Sequence, residues 1–418
     1  MPGDRRCGGL GSCGAYPRGG SFGRDSPGCA GALLRSRHPA LGAGGPLSRL
    51  HTARALGGLM RTRESDRSFV VPADLPGPSG GLNYNRRVLQ VWQEQGLAVT
   101  EEALGGAWPY PDEQARDALA RCLLRYESVL VDGIIASAAP DELAQARAAG
   151  VEISVLMHLP LPAETGISED QRRAAETSER RALQHATQVV CTSQWARKDV
   201  TARYGRLPTT VAAPGCDAAP LAHGSRPPHM LFLGSISPRK NPLLLLEALA
   251  PLECLAWKLT IAGPTGPDPR YADAVAAAAR RFPGVVDLAG PLTGESLERT
   301  WNSTDLLLLP SLAETYGMVV TEAIARGVPV VVGAGTGAEE ALAAAHHLVH
   351  RVAPSALPGT AVDPADRTAW TATLRRWLTQ DDLRRQWRSN AAVDRDRLRP
   401  WSETAKILHT ALRWSHAR

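Results

Sequence analysis

From Ser68 onward the chain alternates between short unbroken apolar runs and longer stretches in which apolar residues return every three or four positions. The runs fall at 68–75, 128–135, 153–159, 188–193 and 209–214, and then at 229–234, 258–263, 285–290, 306–310 and 329–333. An apolar run with no polar alternation predicts a strand covered on both faces, as in a parallel sheet. The periodic stretches predict helices over 113–124, 141–149 and 167–186 in the first series. In the second they predict helices over 241–250, 270–281, 293–301, 318–326 and 337–345, and in the tail over 365–390 and 402–416. Pro214-Gly215, Pro220 and the Gly224 to Pro228 stretch separate the two series. Two βαβ series joined by a short linker predict an α/β fold of two doubly wound, Rossmann-like domains facing a central cleft, with ligands outside the carboxyl ends of the strands. The expected boundaries are 66–220 for the first domain, 221–395 for the second and 396–418 for a terminal helix.

Length and composition fit that picture: 418 residues suit two domains of ordinary size, and 44% apolar residues supply their cores. The charge is unevenly placed. Residues 1–65 hold ten Arg, no Lys and three acidic residues, a net +7, which leaves −2 of the total +5 for the rest. That head, rich in Gly, Pro and Arg and without periodicity, reads as a disordered extension, with Met60 as an alternative translation start. A nearly neutral body argues against nucleic acid as a partner. Seven Cys without a Cys-x-x-Cys suggest neither a zinc site nor a disulfide framework. No apolar run reaches the about 18–20 residues of a spanning helix, so the expected location is cytoplasmic and any membrane contact peripheral.

Two segments carry candidate chemistry. In Ser311 to Ala323 a loop holding Glu314, Tyr316 and Gly317 leads into a helix opening near Met318 and Val319, with Glu322 about one turn in. A helix start favours an anion, and carboxylates eight residues apart suit sugar or ribose hydroxyls, because they only accept hydrogen bonds. The same pair also reads as an acidic helix start with a buried glutamate behind it. In Gly234 to Pro242, Arg239 and Lys240 present two cations beside a helix start, a place suited to a diphosphate, with Asn241 as the expected cap. Alone, such a basic pair is ordinary surface.

Together with the PGCD turn at 214–217, these motifs resemble a family 4 glycosyltransferase of the GT-B fold, over about residues 68–416. The resemblance implies retaining, metal-independent transfer of a hexose-type sugar from a nucleoside-diphosphate sugar to an acceptor hydroxyl, with no cofactor. The acceptor itself, whether sugar, lipid or small molecule, is not legible. The resemblance places Glu314 on the donor sugar, Glu322 on the ribose and Lys240 on the diphosphate, with Arg239, Gly234, Tyr316, Gly317, Met318 and Val319 around them. It implies that Gly80, Gly81 and Asn83 form a glycine loop near the acceptor, that His158 lies near the donor sugar, and that Trp401 marks a helix crossing back to the first domain. Where the family often has Arg after the glycine, Ser235 stands here, and Arg239 is the candidate replacement. Ser193 and Trp195 read as a cap and a packing residue. The turn at 333–338 fits a relaxed dinucleotide fingerprint, but it comes late in its domain and no acidic residue ends a strand beyond it; the resemblance instead puts Glu339 or Glu340 at the donor site. A catalytically inactive binding subunit and a sugar-nucleotide epimerase are the other readings of the same fold.

Overall fold

The computed structural model describes residues 67–75, 79–346 and 352–412. The Arg-rich head and its alternative start at Met60 lie outside the described residues, as do His350, Arg351 and the last positions of the tail.

The first half builds six strands, β1 (Arg67–Pro72), β2 (Thr100–Leu104), β3 (Ser128–Asp132), β4 (Glu152–Met157), β5 (Gln188–Cys191) and β6 (Thr209–Val211). They pair in the order β2-β1-β3-β4-β5-β6, parallel throughout. Helices α1 (Gly80–Glu94), α2 (Glu113–Leu123), α3 (Gly133–Ala136), α4 (Pro140–Ala148), α5 (Glu169–Gln184) and α6 (Gln194–Tyr204) connect them. The second half builds β7 (His229–Leu233), β8 (Lys258–Ala262), β9 (Val286–Gly290), β10 (Leu306–Leu309), β11 (Val330–Gly333) and β12 (Gly359–Val362). Its order is β12-β11-β10-β7-β8-β9, again parallel. The helices here are α7 (Pro242–Leu249), α8 (Pro269–Ala279), α9 (Gly294–Ser303), α10 (Met318–Ala325), α11 (Ala338–Leu342), α12 (Arg367–Thr379) and α13 (Asp381–Asp394); α14 (Trp401–Ala411) closes the chain.

The central strands of each sheet are buried on both faces, which is why they read as continuous apolar runs. In β1 and β3, Val70, Val129 and Val131 face one cluster while Phe69, Val71 and Leu130 face the other. The second sheet repeats the device: Phe232, Leu306 and Leu308 lie on one face, and Leu231, Leu307 and Leu309 on the other. The last helix, α14, covers a face of the first sheet. Its Trp401 meets Tyr84 edge-on at 5.5 Å between ring centres, and Trp92 Nε1 donates to the Ala405 carbonyl at 3.1 Å. The linker turn crosses directly beneath this junction. A Cβ on Gly215 would sit 2.5 Å from the Trp401 backbone nitrogen, so only glycine fits there.

The structure departs from the sequence-based elements in four places. The run 128–135 ends as a strand at Asp132, because its carboxylate accepts from the Ile134 amide at 3.0 Å and starts the short α3. The expected helix 365–390 divides at Gln380 into α12 and α13. Asn241 holds the cap position of α7 in the left-handed region (φ 58°), but its side chain does not cap; it donates to the Pro364 carbonyl at 3.3 Å. Strands β2 and β12 were not expected. Both are short edge strands, and in β2 alternate residues are exposed, so neither carries an apolar run.

Candidate functional site

In an open parallel sheet the ligand crevice lies at the carboxyl ends of the two strands between which the order reverses. In the second sheet these strands are β7 and β10, which pair through Met230 and Leu306. The loop after β7 carries Gly234, Ser235, Arg239 and Lys240; the loop after β10 carries Glu314, Tyr316 and Gly317 and feeds α10. The two segments singled out in the sequence are thus neighbours. They are stitched together where the Leu312 amide donates to the Arg239 carbonyl at 2.8 Å.

Lys240 Nζ forms an ion pair with Glu314 Oε2, in which both side chains are largely buried. Ser311 Oγ also approaches that oxygen, at 3.4 Å. Burial alone raises the Glu314 carboxyl, but the Lys240 and Arg239 cations and the two hydrogen bonds outweigh it and hold Glu314 below the usual glutamate value. Glu322 behaves oppositely: burial raises it, Asp217 and Glu298 add to the rise, and Arg326 opposes it only in part. One carboxylate is therefore held charged and the other sits where charge is costly.

The glycine turn after β11 is not a nucleotide fingerprint. The Gly337 amide donates to the Glu314 carbonyl at 2.7 Å, and a Cβ on Gly337 would lie 2.1 Å from the Thr315 carbonyl oxygen. That turn buttresses the β10 loop from behind by close backbone approach. Tyr316 is buried in the core under the same loop, whereas Met318 and Val319 are only half-buried. Gly317 takes φ 82° as it turns the chain into α10.

The first sheet has its own reversal point, between β1 and β3, and the start of α1, which follows β1, comes against the start of α10. Met318 Sδ lies 4.0 Å from where a Gly80 Cβ would stand. Arg239 reaches across to the first half: Nε meets Glu164 Oε1 at 3.2 Å and its amide donates to Thr165 Oγ1 at 3.2 Å, while Nη1 donates to the Ala313 carbonyl at 3.2 Å. Arg239 is thus engaged across the cleft instead of standing free beside Lys240. A second crossing lies at the α6 start. Glu340 accepts from the Gln194 amide at 2.9 Å and the Trp195 amide at 2.5 Å, and Trp195 Nε1 donates to the Gly335 carbonyl at 2.7 Å. Glu339 accepts from Gly335 within its own turn. Trp195 therefore holds the two halves together and is more than packing, while Ser193 caps α6 through the Ala196 amide at 2.8 Å.

His158, just past β4, is held by residues that the sequence reading missed. Its Nε2 lies 2.8 Å from Asn85 Oδ1, and Asn85 Nδ2 donates to Asp132 Oδ2 at 2.6 Å. Gly81 and Asn85, four apart on α1, share one helix face, and a Cβ on Gly81 would stand 3.0 Å from the imidazole Cδ2. Gly81 thereby makes room for the ring. Asn83 lies half-buried at the α1 start and accepts from Arg86 at 2.8 Å. Asp132 had a legible signal, as the last residue of a reversal-point strand before a glycine; Asn85 had only its spacing from Gly81. Burial lowers the His158 pKa despite the nearby Asp132. Among the described residues no three His, Cys, Asp or Glu side chains gather to hold a metal.

Residues 217–394 match the family model of glycosyl transferases group 1, a span that contains both loops of the second-sheet site and none of the first sheet. Curated relatives include D-inositol 3-phosphate glycosyltransferases from Salinispora tropica (29% identical, over 56% of this chain and 52% of that protein) and Stackebrandtia nassauensis (32%, 42% and 39%). The chain spans half or less of the length of most such relatives. Among solved structures, sucrose-phosphate synthase from Thermosynechococcus elongatus superposes with a TM-score of 0.66 at 17% identity, over 83% of this chain and 98% of that one. HepE of Anabaena, solved with UDP and glucose, gives 0.64 at 15%, over 83% and 99%. These likenesses establish the GT-B fold.

Proposed function

We propose that the protein is a retaining glycosyltransferase that moves a hexose-type sugar from a nucleoside-diphosphate sugar to an acceptor hydroxyl without a metal. The observation that carries this reading is the buried Lys240–Glu314 pair at the β7/β10 reversal point. The family match over 217–394 and the UDP held by HepE, a protein of the same fold, support a nucleotide-sugar donor. The diphosphate lies at the α10 start within reach of Lys240, whose ammonium turns from Glu314 toward the phosphate oxygens. As the bond from the anomeric carbon to the phosphate oxygen breaks, Lys240 and the helix start stabilise the charge left behind, an effect worth about 2.7–4 kcal/mol per donor in comparable sites. The acceptor oxygen bonds to the same face of the anomeric carbon, and its proton leaves with the departing phosphate. Glu314, kept ionised, supports the positive charge that develops on the sugar, and Glu322 accepts from the ribose hydroxyls. The acceptor enters past Gly80, Gly81 and Asn83. Because relatives are named for D-inositol 3-phosphate, a polyol phosphate is the first acceptor to test.

A thermal-shift screen of the full chain with nucleoside-diphosphate sugars in chelator tests the donor assignment. One nucleotide sugar raises Tm in proportion to RT ln(1 + [L]/Kd). No shift with any of them at millimolar concentration defeats it. Product formation with retained anomeric configuration then separates transfer from an inactive binding subunit and from an epimerase.

A further inference from the structure

The residues around His158 fix more than its position. An Asn amide is ambiguous in isolation, since its oxygen and nitrogen have the same shape. Here the ambiguity is removed. Asp132 pins one carboxylate oxygen to the Ile134 amide and offers the other to Asn85 at 2.6 Å, where only the amide nitrogen can stand. The Asn85 oxygen must then face His158 Nε2, at 2.8 Å, and an oxygen acceptor there requires a proton on Nε2. We propose that Asn85 and Asp132 are positioning residues that lock His158 as the Nε2–H tautomer, so that Nδ1 stands as a lone-pair acceptor for a hydroxyl of the donor sugar. This rests on the donor reading above.

The surroundings agree. Among the described residues Nδ1 has no hydrogen-bond partner, and the ring is wedged between Gly81 and the edge of Tyr84, 5.2 Å away between centres. Asp132, at 3.6 Å from Nε2, is the charged group that faces the ring, and Tyr84, itself buried, is the other titratable side chain against it. Burial keeps the imidazole neutral below its usual range. A neutral imidazole with its proton committed to Asn85 does not act as a proton donor to the leaving group. It reads a hydroxyl, and so it selects among sugars.

The test is nitrogen NMR of the full chain labelled with 15N-histidine, with His158 assigned by its absence in His158→Asn. At pH 7.5 the spectrum should have Nε2 protonated and Nδ1 bare, and a bound nucleotide sugar should move the Nδ1 resonance. Asn85→Leu should yield a mixture of tautomers and lower kcat/KM for the nucleotide sugar by up to about tenfold, the scale of one weakened hydrogen bond. Asn85→Asp, which adds a carboxylate, should move the acidic limb of the pH–rate profile upward. A wild-type ring protonated on Nδ1 overturns the proposal, and this measurement needs no variant to fold. An unchanged tautomer in Asn85→Leu, or a changed tautomer with wild-type kcat/KM, also overturns it. If no nucleotide sugar binds, the donor reading and the hydroxyl contact fail together, while the tautomer is still read independently.

Discussion

The two sheets have the same strand count, the same parallel pairing and the same burial of their central strands on both faces, yet they assemble their chemistry differently. On the second sheet every chemistry-bearing group comes from two short segments, 234–242 and 311–322, which follow adjacent strands at the reversal point. On the first sheet the corresponding groups, Asn85, Asp132, His158 and Glu164, come from a helix, a strand end and the loop after another strand. A site made of contiguous motifs binds whatever part of the substrate is constant. A site spread over separate loops can change one contact at a time, and it is where a varied acceptor would be read. On the function proposed above, the contrast is between a half that would handle phosphate and a half that would discriminate.

The sharpest way to break that contrast is at Lys240. Lys240→Ala removes the cation proposed for the leaving group and leaves Glu314 buried without its ion-pair partner. Turnover should fall about 10²- to 10³-fold, and stability should fall as well, since breaking a buried pair costs about 3–5 kcal/mol. Steady-state rates beside a thermal melt separate the two. Lys240→Ala with wild-type turnover would move the chemistry off the second sheet altogether.

Next in size is the opposition between the two carboxylates. Glu314 sits below its usual pKa, so its contribution to stability is present above the ordinary glutamate range, about 4.3, and is lost as pH falls through its folded value. Glu322 sits above its usual pKa. Its protonated form is favoured on folding, so stability falls as pH rises from about 4.3 to the raised folded value. Glu322→Gln should therefore raise Tm relative to wild type at neutral pH, with the gain vanishing below pH 4. Its nucleotide-sugar affinity should drop about tenfold, the difference between a charged and a neutral acceptor. A variant less stable than wild type at pH 7 would mean that Glu322 makes a structural bond instead of waiting for a ligand.

How much of this was legible follows from the same contrast. Strands buried on both faces announce themselves as apolar runs, and the second-sheet segments combine a turn, a charge and a helix start within about ten residues, so their proximity in space was nearly implied by sequence. Edge strands β2 and β12 carry no such run. Asn85 and His158 are 73 positions apart, and nothing local couples them; only the pairing of β1 with β3 and of β3 with β4 brings them together. Arg239 was legible only in part. Its charge was legible, but Glu164, from the other half, turned it across the cleft. The glycines at 333–337 were legible as a turn, whereas their reason, the carbonyls of Ser311 and Thr315 pressed against them, was not.

The smallest effect belongs to the contact that joins the halves. Glu340 supplies acceptors to the first two amides of α6, a helix of the other sheet, while Ser193 takes the third. The helix start favours that negative charge. Because the contact is partly exposed, its removal should cost only about 0.5–1 kcal/mol, the low end for a lost helix cap. Glu340→Ala should therefore lower Tm slightly and raise the KM for the nucleotide sugar modestly, because closing the two halves over the donor becomes less favourable. Glu339→Ala is the comparison: it loses one bond within its own turn and none to α6, so it should lower Tm by less than Glu340→Ala. If the two variants behave alike, the Glu340 contact does nothing more than order its own turn, and the coupling between the halves rests on Arg239 with Glu164 and on Trp195.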